Sequence, residues 1–156
     1  MAVFTTPAVG ASDEVHSEQK NPLGMIAHGT DGSEWIYLTG VASCAVGYAV
    51  TYDEASVTTL LVANAKGPVA IAGAATVADK YGWFCILAPN GVTASVVADS
   101  ADNAFLGRET TDGRLGDGRA SGDQIYGIIS RGATVAAGTA TVQIFSHPFV
   151  DDTYGS

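Results

Sequence analysis

Three histidines, sixteen carboxylates and two cysteines are the side chains of this 156-residue chain from which a reactive or metal-binding site could be built. Zinc and related sites draw their ligands from closely spaced His/Cys clusters. His16, His28 and His147 stand far apart and none has ligand-like neighbours. His28 falls at the mouth of an expected hairpin and His147 precedes Pro148 at a strand end, so both read as polar strand-edge residues. Carboxylates and glycines cluster only in Asp112-Gly-Arg-Leu-Gly-Asp-Gly-Arg-Ala-Ser-Gly-Asp123. Asp112, Asp117 and Asp123 offer the oxygens a calcium loop needs, but the spacing is not that of an EF-hand and the closing Glu is missing. Arg114 and Arg119 compete for the same carboxylates. The segment therefore reads as a solvated surface loop. Its mixed charges suit ionic contacts between neighbouring subunits, with Asp112, Arg114, Asp117 and Arg119 as the candidate subunit-contact residues.

Nucleophilic chemistry has less to work with. No Gly-x-Ser-x-Gly elbow, P-loop or His-Glu-x-x-His occurs. Ser17-Glu-Gln-Lys20 matches Ser-x-x-Lys in form, but without its companion motifs and in an unpatterned stretch. Asp53-Glu54 and Asp151-Asp152 fall at a turn and in the tail, where carboxylates are solvated. A glycosidase needs two carboxylates at a set separation beneath a cleft. The expectation is a non-enzyme with no metal and no cofactor; a pocket with converging carboxylates would instead favour a small all-β hydrolase. Cys44 and Cys85 lie in apolar contexts without a Cys-x-x-Cys pair. They read as buried small hydrophobes, the alternative being a disulfide across a sheet.

The chain is long enough for one domain and one core without a staple. Charged residues are 15% of it, against the usual quarter, and hydrophobic ones 47%. Its surface must therefore present much Ala, Thr, Ser and Gly. That suits repeated subunit contacts, where little charge has to be desolvated, and equally a plain Thr/Ser-rich sandwich. Seven basic residues, scattered rather than clustered, leave a net charge of −9. Counterion release from nucleic acid needs clustered Lys and Arg, so nucleic acid is not an expected partner. Neither is an anionic membrane. The opening Met1–Pro7 is no secretory signal, and the longest apolar run falls short of the ~20 residues of a membrane span. Synthesis in a cytoplasm is expected.

The positioning elements are short β-strands. Aromatic and β-branched runs bounded by turn residues recur along the chain, and no amphipathic helical stripe appears. Strands are expected at Gly24–His28 and Glu34–Thr39, joined through Asp31-Gly32, then at Val46–Tyr52, Val57–Asn64 and Pro68–Ala72. Tyr81–Ala88 and Val92–Ala98 are expected as a hairpin across Pro89-Asn90-Gly91, whose Asn-Gly favours a type I′ turn. A Gly/Asp-rich segment runs from Asp99 to Asp123, followed by strands at Gln124–Ser130 and Thr139–His147. The stretches around Trp35 and Trp83 look alike, through an internal repeat or shared hairpin chemistry. Some nine strands about ten residues apart argue for an all-β antiparallel sandwich or small barrel, jelly-roll-like topology included. Residues 1–22 keep no period and read as an extended arm that orders on a partner, or as a frayed terminus. Residues 23–149 form the expected β domain and 150–156 a polar tail.

Gly29-Thr-Asp-Gly-Ser-Glu-Trp-Ile-Tyr-Leu38, Ala45-Val-Gly-Tyr-Ala-Val-Thr-Tyr-Asp53, Tyr81-Gly-Trp-Phe84 and the Gly/Ala/Thr/Val-rich closing section carry a resemblance. From about Gly24 to Phe149 the chain resembles the capsid decoration, or cement, proteins of tailed bacteriophages. The resemblance implies a virion structural protein on the outside of an assembled head, bound to the major capsid protein and to itself as a homodimer or homotrimer. An arm adding a strand to a capsid edge would place Phe4, Val9 and Val15 as apolar anchors, with Leu23 and Met25 at the junction. Trp35, Tyr37, Trp83 and Phe84 read as core or subunit-interface aromatics. The alternative is a virion appendage or tail-associated β module that recognises a host-surface glycan. Exposed aromatics over a shallow groove are what that alternative requires.

Overall fold

The computed structural model describes residues 2–5, 8, 10–117, 124–134 and 136–151. The described residues form eleven strands and no helix: β1 (Val15–His16), β2 (Ile26–His28), β3 (Glu34–Thr39), β4 (Ala49–Tyr52), β5 (Thr58–Leu60), β6 (Gly67–Ala72), β7 (Tyr81–Val96), β8 (Phe105–Arg108), β9 (Leu115–Gly116), β10 (Gln124–Ser130) and β11 (Gly138–Val150). All pairings are antiparallel except β7 with β9. The fold is all-β, as the short-strand pattern predicts. No helix among the described residues is long and apolar enough to cross a membrane.

Strand β3 shows why so many runs are apolar without alternation. Trp35, Ile36, Tyr37 and Leu38 are all buried, so both faces of the strand are covered. Side chains two apart share a face. Trp35 and Tyr37 join Trp83, Cys85 and Ile71 in the main core, while Ile36 and Leu38 join Phe84, Ile86, Val50, Ala70 and Ala72 in a second cluster. The second cluster is the interior of a curl made by β3, β7, β6, β4 and β5. Hydrogen bonds between Thr39 and Ser56–Thr58 close the curl between its ends, among them Thr39 N–H to Ser56 O (3.2 Å) and Thr58 Oγ1 to Thr39 O (2.8 Å). The main core lies between the outside of this curl and the sheet of β8, β10, β11 and the second half of β7. The strands that carry Trp35 and Trp83 are neighbours, with Tyr37 opposite Trp83.

Three expectations are corrected here. Tyr81–Val96 is a single strand, not a hairpin. Its first half pairs β3 and β6 and its second half β11, with Pro89, Asn90 and Gly91 as a bulge facing Gln143 alone. Gly91 takes a φ of +94°, so the Asn-Gly signal is genuine; it bends a strand from one sheet to the other. Gln143 Nε2 donates to Pro89 O (2.8 Å), and Asn90 Nδ2 to Asp31 O (2.7 Å). Second, residues 2–5 and 10–22 lie on their own domain, where an arm for another protein is expected. Phe4 bridges to Gly29 and its ring sits 4.8 Å from that of Trp83. A Trp face left open on a sheet is a better partner for that phenylalanine than water. Third, the tail does not begin at 150: Val150 is buried and pairs with both Ile125 and Gly67.

The cysteines are free and sit in different clusters, Cys44 in the second and Cys85 in the main core, which excludes a bond between them. Burial raises both thiols, Cys85 to about 12. The thiolate is the reactive form, so neither cysteine should label with a maleimide at pH 7 in the native protein. Both should label on unfolding, at the rate of free cysteine. Labelling that precedes the loss of β-sheet circular dichroism would contradict this burial.

Candidate functional site

The sequence-derived candidates are dispersed and mostly committed to their own fold. Phe4, Leu23 and Met25 are partly buried against the main core. Val15, 38% exposed, sits in β1 opposite Gly82. Val9 and Arg119 lie outside the described residues, as does Asp123. Asp112 Oδ1 accepts from Arg108 Nη2 (2.9 Å), and Asp117 Oδ2 from the Ala101 amide (2.7 Å). Arg114 is partly buried, with its amide donating to Thr111 O. The Asp/Arg segment thus closes internal turns around β8 and β9.

A cavity of about 370 Å³ brings Asp13 and Asp31 to one place with Ser12, Ser33, Trp35 and Thr93. Asp31 Oδ1 accepts from the Ser33 hydroxyl (2.5 Å) and amide (3.0 Å), and Trp35 Nε1 donates to the same hydroxyl (2.8 Å). The Ser33 hydroxyl, ahead of its amide, holds the Asp31 carboxyl below its ordinary range. A general acid needs a raised carboxyl, so Asp31 is suited to bracing a turn and not to giving up a proton at neutral pH.

The third feature is a groove of about 340 Å³ over β8, β10 and β11, lined by Phe105, Tyr126, Phe145 and Phe149 with Gln124, Ser146 and His147. Large phenylalanines belong inside a domain, yet Phe105, Phe145 and Phe149 are 51%, 50% and 48% exposed. Tyr126 and Phe149 stack, ring centroids 4.8 Å apart and planes at 19°. A bulge creates the exposure. Between the pairs Ile128–Ile144 and Tyr126–Phe149, Gly127 alone stands opposite Phe145, Ser146, His147 and Pro148. The extra residues lift Phe145, Ser146 and His147 clear of the core.

The groove's rim joins the β2–β3 hairpin. His147 Nε2 donates to Glu34 Oε2 (2.7 Å), and His28 Nε2 lies 3.6 Å from Glu34 Oε1. One carboxylate therefore faces two imidazoles from residues 113 apart in sequence, counting from Glu34 to His147. Among the described residues no group of three His, Cys, Asp or Glu side chains is arranged to hold a metal ion. Sequence reasoning missed the groove. The i, i+2, i+4 spacing of Phe145, His147 and Phe149 marks a shared strand face, but nothing in it says that the face is open.

At the other end of β3, Val57 and Val77 are 49% and 53% exposed. Val57 follows Ser56, which bonds Thr39, and the Val77 carbonyl approaches Gly40. The two valines thus flank the closure of the curl. Six residues of strand, roughly 17 Å, separate this apolar end from Glu34. No protein family, curated protein or solved structure matches the chain.

Proposed function

We propose that this chain is a non-enzymatic virion structural protein that binds the exterior of an assembled phage head and bridges its capsomers. The observation that carries the reading is the apolar end built by Val57 and Val77 beside Thr39 and Gly40. It is a small apolar contact beside the exposed Asp53, whose Oδ1 accepts from the Val57 amide, on a chain poor in charge overall, and a repeated lattice can use such a contact many times. A net charge of −9 supports an outward position, away from packaged DNA. A ligand that binds only the expanded lattice stabilises that lattice through its differential affinity. The major capsid protein is the partner, and further copies of this chain complete a dimer or trimer at the junction. The packing of Phe4 on Trp83 favours this end of the domain over the N-terminal segment for the docking role.

The test is addition of the purified chain to expanded heads that lack it, read by co-sedimentation and electron microscopy. Saturable, stoichiometric addition is expected. Val57→Asp with Val77→Asp should weaken it about thirtyfold, since two half-buried valines are worth roughly 2 kcal/mol. Thermal stability should not change. Heads that take up no protein at any concentration would overturn the reading.

A further inference from the structure

We propose that the aromatic groove over β8, β10 and β11 is a binding site for an uncharged carbohydrate chain. The proposal goes beyond head binding and does not depend on it, because the groove and the valine end are separate surfaces. The chemistry of the lining points to sugar. A pyranose ring offers C–H groups on its face and hydroxyls around its edge. The open rings of Phe145 and Phe149, and Tyr126 stacked on Phe149, supply faces with the negative quadrupole that C–H groups favour. Gln124, Ser146 and His147 stand among them with amide, hydroxyl and imidazole groups for the edge. A mostly apolar cleft with a few polar groups is the general form of a small-ligand site, and this one is at the small end of the usual range.

Area and charge decide between occupants. Three half-open phenylalanines expose roughly 300 Å², taking half of the 150–250 Å² each ring side chain can bury. A stable protein interface needs about 800 Å² per partner, so the patch alone does not hold a second copy. Among the described residues no Lys or Arg lines the groove, and the Glu34 carboxylate meets it at His147. Together with the net charge of −9, this disfavours phosphates, nucleic acid and acidic sugars. Among the described residues no carboxylate lines the groove either, and Glu34 is engaged by His28 and His147. The described lining therefore offers no carboxylate pair for hydrolysis. The site binds sugar without cutting it.

Isothermal titration of the full chain with maltohexaose, cellohexaose, chitohexaose and mannohexaose tests this. At least one should bind with a Kd on the order of 1 mM or tighter, and amide resonances of residues 124–127, 145–147 and 149 should shift on titration. Phe145→Ala should weaken that binding about tenfold with unfolding unchanged within about 0.5 kcal/mol, and Phe149→Ala should weaken it about as much while costing about 1 kcal/mol of stability for the lost stack on Tyr126. Absence of binding by all four at about 10 mM would overturn the proposal. So would tighter binding of polygalacturonate or of a proline-rich decapeptide, or a change of oligomeric state in the two variants with sugar binding intact. Uptake onto heads is read separately, so either proposal can fail while the other stands.

Discussion

A chain lacking residues 1–22 should lose most of its stability. Backbone pairing covers the β2 edge: Thr5 N–H donates to His28 O (2.7 Å) and Thr30 N–H to Val3 O (2.8 Å). Ala2 is buried, its amide donating to the buried Ser12 hydroxyl (2.7 Å). Phe4 covers Trp83, one of the largest fully buried side chains. Further on, β1 pairs with β7, and the Tyr37 hydroxyl meets His16 Nδ1 (2.7 Å) and the Lys20 amide (3.2 Å). Deletion uncovers Trp83 and leaves the Tyr37 hydroxyl inside the sheet without these partners. Loss of Phe4 burial alone costs about 2 kcal/mol, and an orphaned buried hydroxyl roughly 1–3 kcal/mol more. With the strand pairings gone as well, the sum takes up much of the 5–15 kcal/mol that holds a domain together. Urea denaturation should show the midpoint falling by at least half, or no cooperative transition. Phe4→Ala in the full chain should lower stability by about 2 kcal/mol. A truncated protein that melts like the full one would restore the detachable arm.

That segment shows where the sequence was legible and where it was not. Strand β10 spans Gln124–Ser130 as its β-branched run predicts, and the β2–β3 hairpin follows from Asp31-Gly32 between two apolar runs. These are local signals, written in turn chemistry and side-chain type. The described residues of the N-terminal segment, 2–5, 8 and 10–22, show no periodicity because they make single contacts: a bridge at Phe4, two paired residues in β1 and a buried Ser12. Such pairing is set by what the sheet leaves open, which no local pattern encodes. Pro89-Asn90-Gly91 failed for a related reason. Its left-handed glycine is as useful in a bulge as in a turn, and only Gln143 and Asp31, distant in sequence, decide between them. The groove lay furthest from view. Phe145 and Phe149 resemble core residues in type, and their exposure depends on how many residues of β11 face one glycine of β10.

Gly127 is accordingly a position where one added methyl group should cost a good deal of stability. Its φ of +93° is one that L side chains rarely adopt, and a Cβ there would lie 2.6 Å from the Ser146 carbonyl oxygen. Ser146 belongs to the bulge, and its carbonyl is backbone, so relief means moving β11. The unfavourable φ costs about 1–3 kcal/mol, and shifting a bulge that is pinned at Ile144 and Phe149 adds to it. Gly127→Ala should therefore destabilise the protein by about 3 kcal/mol, a fall in Tm of roughly 6–12 °C for a domain of this size. Gly138→Ala is the matched control, since its added Cβ meets nothing within 4 Å, and it should stay within about 0.5 kcal/mol of the parent. The two variants also separate stability from function. Displacing Ser146 pulls Phe145 and Phe149 out of register with Tyr126, so Gly127→Ala should lose sugar binding at temperatures where it is still folded, while Gly138→Ala keeps it. If Gly127→Ala melts with the parent, β11 can give way freely at its bulge, and the open aromatic face is then no fixed property of this fold.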